Sequence, residues 1–181
     1  HDQLDIRGHV SSQYLSALLL IAPFLPLGLT LNITSDLTSK PYVTMTLQML
    51  AEVGIQHIWN ENSISISHQE VKKTVLHVEP DWSAASYWYA IIALSPIGSS
   101  LFLPGLKTNS LQGDSAIVDI MTNFGVVSTF ENNGVKIEKS GNQGKQQTLF
   151  NFKECPDLAQ TVIACCAVLG YNATFTRLET L

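Results

Sequence analysis

One structural phrase occurs three times in this sequence, and that repetition limits the possible folds more tightly than any single motif. The first copy opens on Ser11-Ser12-Gln13-Tyr14, at the head of an apolar helical stretch, and closes near Gly54-Ile55. The second opens on Ala84-Ala85-Ser86-Tyr87 and closes near Gly125-Val126; the third starts at Pro156-Asp157-Leu158-Ala159 and runs to Leu181. Tyr14 and Tyr87 lie 73 positions apart, and Gly54 and Gly125 lie 71 apart. A period of that size marks a supersecondary unit used repeatedly. The third copy is shorter than the others, and the chain begins at His1 with no signal-peptide pattern. The expectation is an internal fragment of a soluble, cytoplasmic protein.

Each unit reads helix, strand, helix, strand, strand. In the first, Leu15, Leu18, Leu19 and Ala22 recur at helical spacing. Residues 29–34 alternate like a strand. Ser39-Lys40-Pro41 gives an N-cap and a first-turn proline. Tyr42, Met45, Met49 and Leu50 are expected to form the apolar face of that second helix, with Gly54 as its left-handed end. Strands are expected at 55–59 and 63–67 around Asn60-Glu61-Asn62, with a further strand at 74–79. The second unit repeats the order: a helix at 83–94, a strand near Leu101, and a helix capped by Asp114 that reaches Asn123. Strands follow at 126–131 and 135–139 about Asn132-Asn133-Gly134. Residues 140–147 read as a loop. The third supplies a helix at 157–169 and a strand at 173–178. Pro80 places a boundary near Glu79-Pro80.

Composition excludes several classes. Hydrophobic residues make up 45% of the 181 and charged residues 14%, enough for a sizeable core. The longest apolar run, Leu15 to Leu31, is interrupted by Pro23, Pro26 and Gly28, so no membrane span is expected. With ten Lys and Arg and a net charge of −5, there is no basic stripe for nucleic acid. Cys155, Cys165 and Cys166 form no spaced framework, and the five histidines are scattered, so neither a disulfide scaffold nor a metal site is expected.

Several polar residues sit where helices should begin. Ser11 and Ser12 with Gln13 can cap free amides, or they can form an anion site, where a helix start adds its unpaired N–H groups to neutral hydroxyl donors. Ser39 reads as a cap and Tyr42 as core. Asp157, after Pro156, reads as a cap, and a carboxylate there can also serve as a base toward a bound hydroxyl. Asp81, at the matching place in the second unit, looks purely structural, and Asp114 looks like another cap. Trp82, Trp88 and Tyr89 read as core, and the paired cysteines as buried thiols without a nucleophilic role.

Five strings, in register on this repeat, resemble the enolpyruvyl transferase family. They are G-H-V-S-S-Q-Y-L-S-A-L-L at 8–19, D-L-T-S-K-P-Y at 36–42, V-E-P-D-W-S-A-A-S-Y at 78–87, N-S-L-Q-G-D at 109–114 and P-D-L-A at 156–159. S-S-Q and S-K-P-Y favour the EPSP synthase branch over the branch acting on UDP-N-acetylglucosamine. The resemblance implies an α+β fold of repeated βαβαββ units in two lobes, with the active site in the cleft between them. Residues 1–79 would be the last unit of one lobe, and 80–181 one unit plus part of the next in the other. It implies transfer of the enolpyruvyl group of phosphoenolpyruvate to the 5-hydroxyl of shikimate 3-phosphate, without a cofactor. Ser11, Ser12 and Ser39 would hold the shikimate phosphate. Gln13 would touch both substrates, Tyr42 would line the shikimate pocket, and Asp157 would accept the hydroxyl proton. The family's lysines and arginines for phosphoenolpyruvate match no residue here, so the chain alone is expected to be inactive. The parent is expected to be a monomer, and this piece to expose apolar surface through which it self-associates. The rival readings are the nucleotide-sugar transferase and a non-catalytic module on the same repeat.

Overall fold

The structure is a computed structural model that describes residues 2–37, 40–142 and 147–178. These divide into two compact units, one ending at His77 and one starting at Val78, two residues before the expected boundary.

In the first unit the order is β1 (Gln3–Ile6), α1 (Ser12–Ile21), β2 (Leu29–Ile33), α2 (Lys40–Glu52), β3 (Ile58–Asn60) and β4 (Ser63–Ile66). The sheet runs β1-β2-β4-β3. β1 is parallel to β2, with Gln3 opposite Thr30 and Ile6 opposite Ile33, whereas β4 is antiparallel to both β2 and β3. This is a complete βαβαββ unit. Leu29, Leu31 and Ile33 of β2 and Ile64 and Ile66 of β4 turn inward at every second position. They meet Leu15 and Leu19 of α1 and Val43, Leu47 and Leu50 of α2.

The residue pattern did not announce β1, although the βαβαββ unit implied by the resemblance contains a leading strand. Its residues are nearly all exposed, so no alternating apolar pattern announces it. The phase of α2 also differs: Val43, Thr46, Leu47 and Leu50 are buried, while Tyr42 and Met45 are half-buried and Met49 is exposed. Both sets have helical spacing, and only the sheet beneath decides between them. Gly54 ends the helix at φ +88, as expected. The β3–β4 turn closes on Glu61 and Asn62, with Trp59 Nε1 donating to the Glu61 carbonyl.

The second unit comprises α3 (Trp82–Ala93), β5 (Ser100–Pro104), α4 (Ile117–Thr122), β6 (Val126–Glu131) and β7 (Gly134–Lys139), then β8 (Leu149–Asn151), α5 (Leu158–Leu169) and β9 (Thr174–Thr176). β5, β7 and β6 form an antiparallel sheet, and β8 pairs in parallel with β9 as β1 does with β2. Trp82, Tyr89, Phe124, Phe150 and Phe152 fill the core.

Two expectations fail here, and one strand was not anticipated. No strand forms at 74–79, where Val75 and Val78 lie 79% and 85% exposed and no ladder partner stands beside them. β8 is a short strand with a single buried residue, Phe150, and carries too little pattern to be read in advance. Asp114 caps no helix: it lies inside a 3₁₀ turn, Gly113–Ala116, that precedes α4, and is 2% exposed.

Candidate functional site

In the first unit, α1 and α2 each follow one of two neighbouring parallel strands. Both therefore start at the same rim of the sheet, where β1 and β2 end. The rim is bonded together. The Thr34 amide donates to the Ile6 carbonyl at 2.9 Å, and the Gly8 amide donates to Ser35 Oγ at 2.9 Å. His9 Nδ1 lies 3.4 Å from the same hydroxyl. Gly8 is required by close approach: a Cβ would sit 2.5 Å from the Asp36 carbonyl oxygen and 2.6 Å from that of Ser35.

Ser11 is the N-cap of α1, its hydroxyl accepting from the Gln13 amide at 3.4 Å, a long bond. The Ser12 hydroxyl is half-buried and has no hydrogen-bond partner among the described residues; the Gln13 side chain is exposed. At the neighbouring helix start, Tyr42 is half-buried and its carbonyl accepts from Thr46 Oγ1 at 3.0 Å. Thr46 is also hydrogen-bonded to Ser16 at 2.8 Å, which ties α2 to α1. The Lys40 ammonium lies 5.2 Å from the Trp59 ring centroid. Ser39, expected as a phosphate contact, lies outside the described residues. The structure thus brings Ser11, Ser12, Gln13 and Tyr42 onto two helix starts at one rim.

Asp157 belongs to the second unit, at the start of α5. It is exposed, has helical backbone (φ −65, ψ −22), and its side chain caps nothing, contrary to the expected cap. The reason is local: the Leu158 amide donates to Cys155 O and the Ala159 amide to Pro156 O, so the first turn satisfies itself. The carboxylate is left facing solvent. Asp81 behaves as expected, with Oδ1 accepting from the Ser83 amide at 2.8 Å as the N-cap of α3.

Two polar clusters carried no advance signal. Glu79 receives three donors, Trp82 Nε1 at 2.9 Å, the Lys107 amide at 2.8 Å and Ser110 Oγ at 2.7 Å. The Asp114 carboxylate accepts from Ser83 Oγ. Apart from the Trp82 bond, these are long-range pairings without local sequence spacing.

The thiols are held in their neutral, buried form. All three cysteines are free and buried. Burial, assisted by the Asp114 charge, pushes the Cys155 thiol up to about 12, and burial pushes Cys165 up to about 11. Among the described residues no group of three or more His, Cys, Asp or Glu could hold a metal ion, and no helix is long and apolar enough to cross a membrane. A groove of about 360 Å³ beside α1 is lined by Ile6, Val10, Tyr14, Ala17 and Leu18 and suits no anion. Another of about 380 Å³ lies over β6 and β7 and contains none of the expected residues.

Comparison with known proteins identifies the family. The family model for EPSP synthase (3-phosphoshikimate 1-carboxyvinyltransferase) matches residues 2–179. A 3-phosphoshikimate 1-carboxyvinyltransferase of Bacteroides fragilis (strain YCH46) is 39% identical over 180 residues, covering 99% of this chain and 43% of the relative. One from Methanosphaera stadtmanae is 35% identical over 166 residues, covering 88% and 38%. The chain thus spans less than half the length of these relatives. An EPSP synthase structure from Acinetobacter baumannii, at 18% identity, shares the fold with a TM-score of 0.63 over 91% of this chain and 38% of that one. With the family model matched along almost the whole sequence, this chain belongs to the EPSP synthase family.

Proposed function

We propose that this chain is the shikimate-phosphate-binding and base-bearing part of an enzyme that transfers the enolpyruvyl group of phosphoenolpyruvate to the 5-hydroxyl of shikimate 3-phosphate. The carrying observation is the bonded rim of the first unit, where Ser11, Ser12 and Gln13 start one helix beside the start of another. Helix starts present N–H groups and a positive dipole end to an anion, and the serine hydroxyls add donors without a counter-charge. Ser11, Ser12 and Ser39 hold the phosphate, Gln13 reaches both substrates, and Tyr42 lines the sugar-acid pocket.

In this reading the methylene carbon of phosphoenolpyruvate takes a proton and the 5-hydroxyl oxygen bonds to the neighbouring carbon. Asp157 accepts the hydroxyl proton as that bond forms. Loss of phosphate, with a proton from the new methyl group, then restores the double bond. A carboxylate that caps nothing is available for this role. The test is a turnover assay on the longer protein with both substrates. Ser12→Ala is expected to raise KM for shikimate 3-phosphate, and Asp157→Asn to lower kcat. Unchanged kinetics in both variants would overturn the assignment, and activity with a UDP-sugar acceptor in place of shikimate 3-phosphate would favour the sister branch.

The chain by itself does not turn over substrate. Phosphoenolpyruvate carries a carboxylate and a phosphate, which call for cations, and neither of the two arginines, Arg7 and Arg177, falls on a family phosphate ligand. Clear activity of the purified chain would refute this. The chain alone also self-associates. Tyr14, Ile21 and Phe24 are 67%, 50% and 63% exposed, and Tyr87, Leu94 and Ile97, each 73 positions on, are 59%, 45% and 72% exposed. Apolar patches of this kind mark surfaces that pack on something. Light scattering that shows a monomer across a dilution series would count against it.

A further inference from the structure

A line of buried and half-buried hydroxyls crosses the second unit from Asp114 to α5. Ser83 Oγ donates to the Asp114 carboxylate. One turn along α3, Ser86 Oγ donates to the Ser83 carbonyl at 2.7 Å and lies 2.9 Å from Thr161 Oγ1 on α5. The Ser86 hydrogen is committed to that carbonyl, so Thr161 is the donor to Ser86. The line therefore has one direction, from Thr161 to Ser86 on one side and from Ser83 to Asp114 on the other. Asp114, Ser86 and Thr161 are 2%, 1% and 4% exposed.

Such a seam is costly in an apolar core, since its hydroxyls and the carboxylate give up water for partners within the protein. Valine in place of Thr161 would fill the same space and leave α3 and α5 packed. What the hydroxyl adds is direction. Apolar contacts allow a helix to roll or slide with little penalty, whereas a 2.9 Å bond fixes both rotation and register. Thr161 stands four residues after Asp157, one turn along the same face of α5. Fixing Thr161 therefore fixes the rotation and register of the turn from which Asp157 projects, and Asp157 makes no capping bond that would hold that turn by itself.

We propose that Thr161 is a positioning residue for Asp157, acting through its hydrogen bond to Ser86, which the Ser83–Asp114 pair holds in place. The proposal rests on the reading of Asp157 as the base that takes the hydroxyl proton.

The experiment uses the longer protein that carries this chain. Thr161→Val, Thr161→Ser and Asp157→Asn are compared for kcat, for KM of each substrate and for melting temperature. Misplacement of a reacting group by about 1 Å costs up to about a hundredfold in rate. Thr161→Val is therefore expected to lower kcat about ten- to hundredfold, with both KM values within about twofold of wild type, and Thr161→Ser to restore kcat. Wild-type kcat in Thr161→Val beside an inactive Asp157→Asn would overturn the positioning role and leave the base intact. A melting loss in Thr161→Val with unchanged kcat would show the hydroxyl to be a packing feature and would also overturn it. Full activity in Asp157→Asn would instead remove the reading on which the proposal stands.

Discussion

The Gly8 amide donates to Ser35 Oγ at 2.9 Å, joining the loop after β1 to the loop after β2 across 27 positions of sequence. This contact places the starts of α1 and α2 side by side, and it leaves no room for a side chain at position 8. Gly8→Ala would put its Cβ within 2.6 Å of two carbonyl oxygens, so the loops must part. The expected cost is about 1–3 kcal/mol, as for other forced overpacking. A lower urea midpoint with an unchanged slope would confirm it, and a wild-type midpoint would contradict it.

The two serines at the head of α1 are expected to separate. Ser11 caps the helix through a long bond to the Gln13 amide, whereas the Ser12 hydroxyl has no partner among the described residues. Ser11→Ala is expected to cost stability at the low end of the capping range, about 0.5–1 kcal/mol. Ser12→Ala should leave the urea midpoint unchanged while weakening inorganic phosphate or shikimate 3-phosphate binding by the longer protein. Calorimetric titration beside urea melts reads both quantities.

Lys139 holds two helix ends. Its ammonium donates to the Ala93 carbonyl at 2.8 Å, at the end of α3, and to the Phe124 carbonyl at 2.6 Å, just past α4. Both carbonyls belong to terminal turns, where partners within the helix run out. Lys139→Met keeps the stem and removes the donor, and is expected to cost about 1–3 kcal/mol. Equal stability in a denaturant melt would show that water replaces the ammonium without loss.

Alkaline pH should destabilise the second unit. Burial raises the Cys155, Cys165 and Tyr89 protonation ranges to about 12, about 11 and about 12. For groups raised in the folded state, the stabilising contribution is complete below the unfolded values, 9.0 for Cys and 10.0 for Tyr. It is lost as pH rises through the folded values. Melting temperature is expected to hold below about pH 8 and fall between pH 9 and 12. At pH 8 the native thiols should resist alkylation, and all three should react once urea unfolds the chain. Rapid labelling of Cys155 in the native state would contradict its buried, protonated state.

What the sequence determined by itself was local. Helix caps at Asp81 and Gly54, the turns at Glu61-Asn62 and Asn132-Asn133, the buried positions Leu15, Leu19 and Ala22, and the order of most elements all depend on residues within a turn or two of one another. Pairings across long stretches of chain leave no such mark. Tertiary structure alone decided that the exposed Gln3–Ile6 becomes a strand, because its partner β2 lies 27 positions on. It decided that 74–79 does not, because no strand stands beside it, and it set the rotation of α2. It also turned Asp114 from an expected cap into the buried acceptor of Ser83, 31 positions away, and joined Ser86 to Thr161 across 75. A hydrogen bond between distant residues depends on where two elements meet, and that meeting is set by burying apolar faces in common rather than by the residues that make the bond.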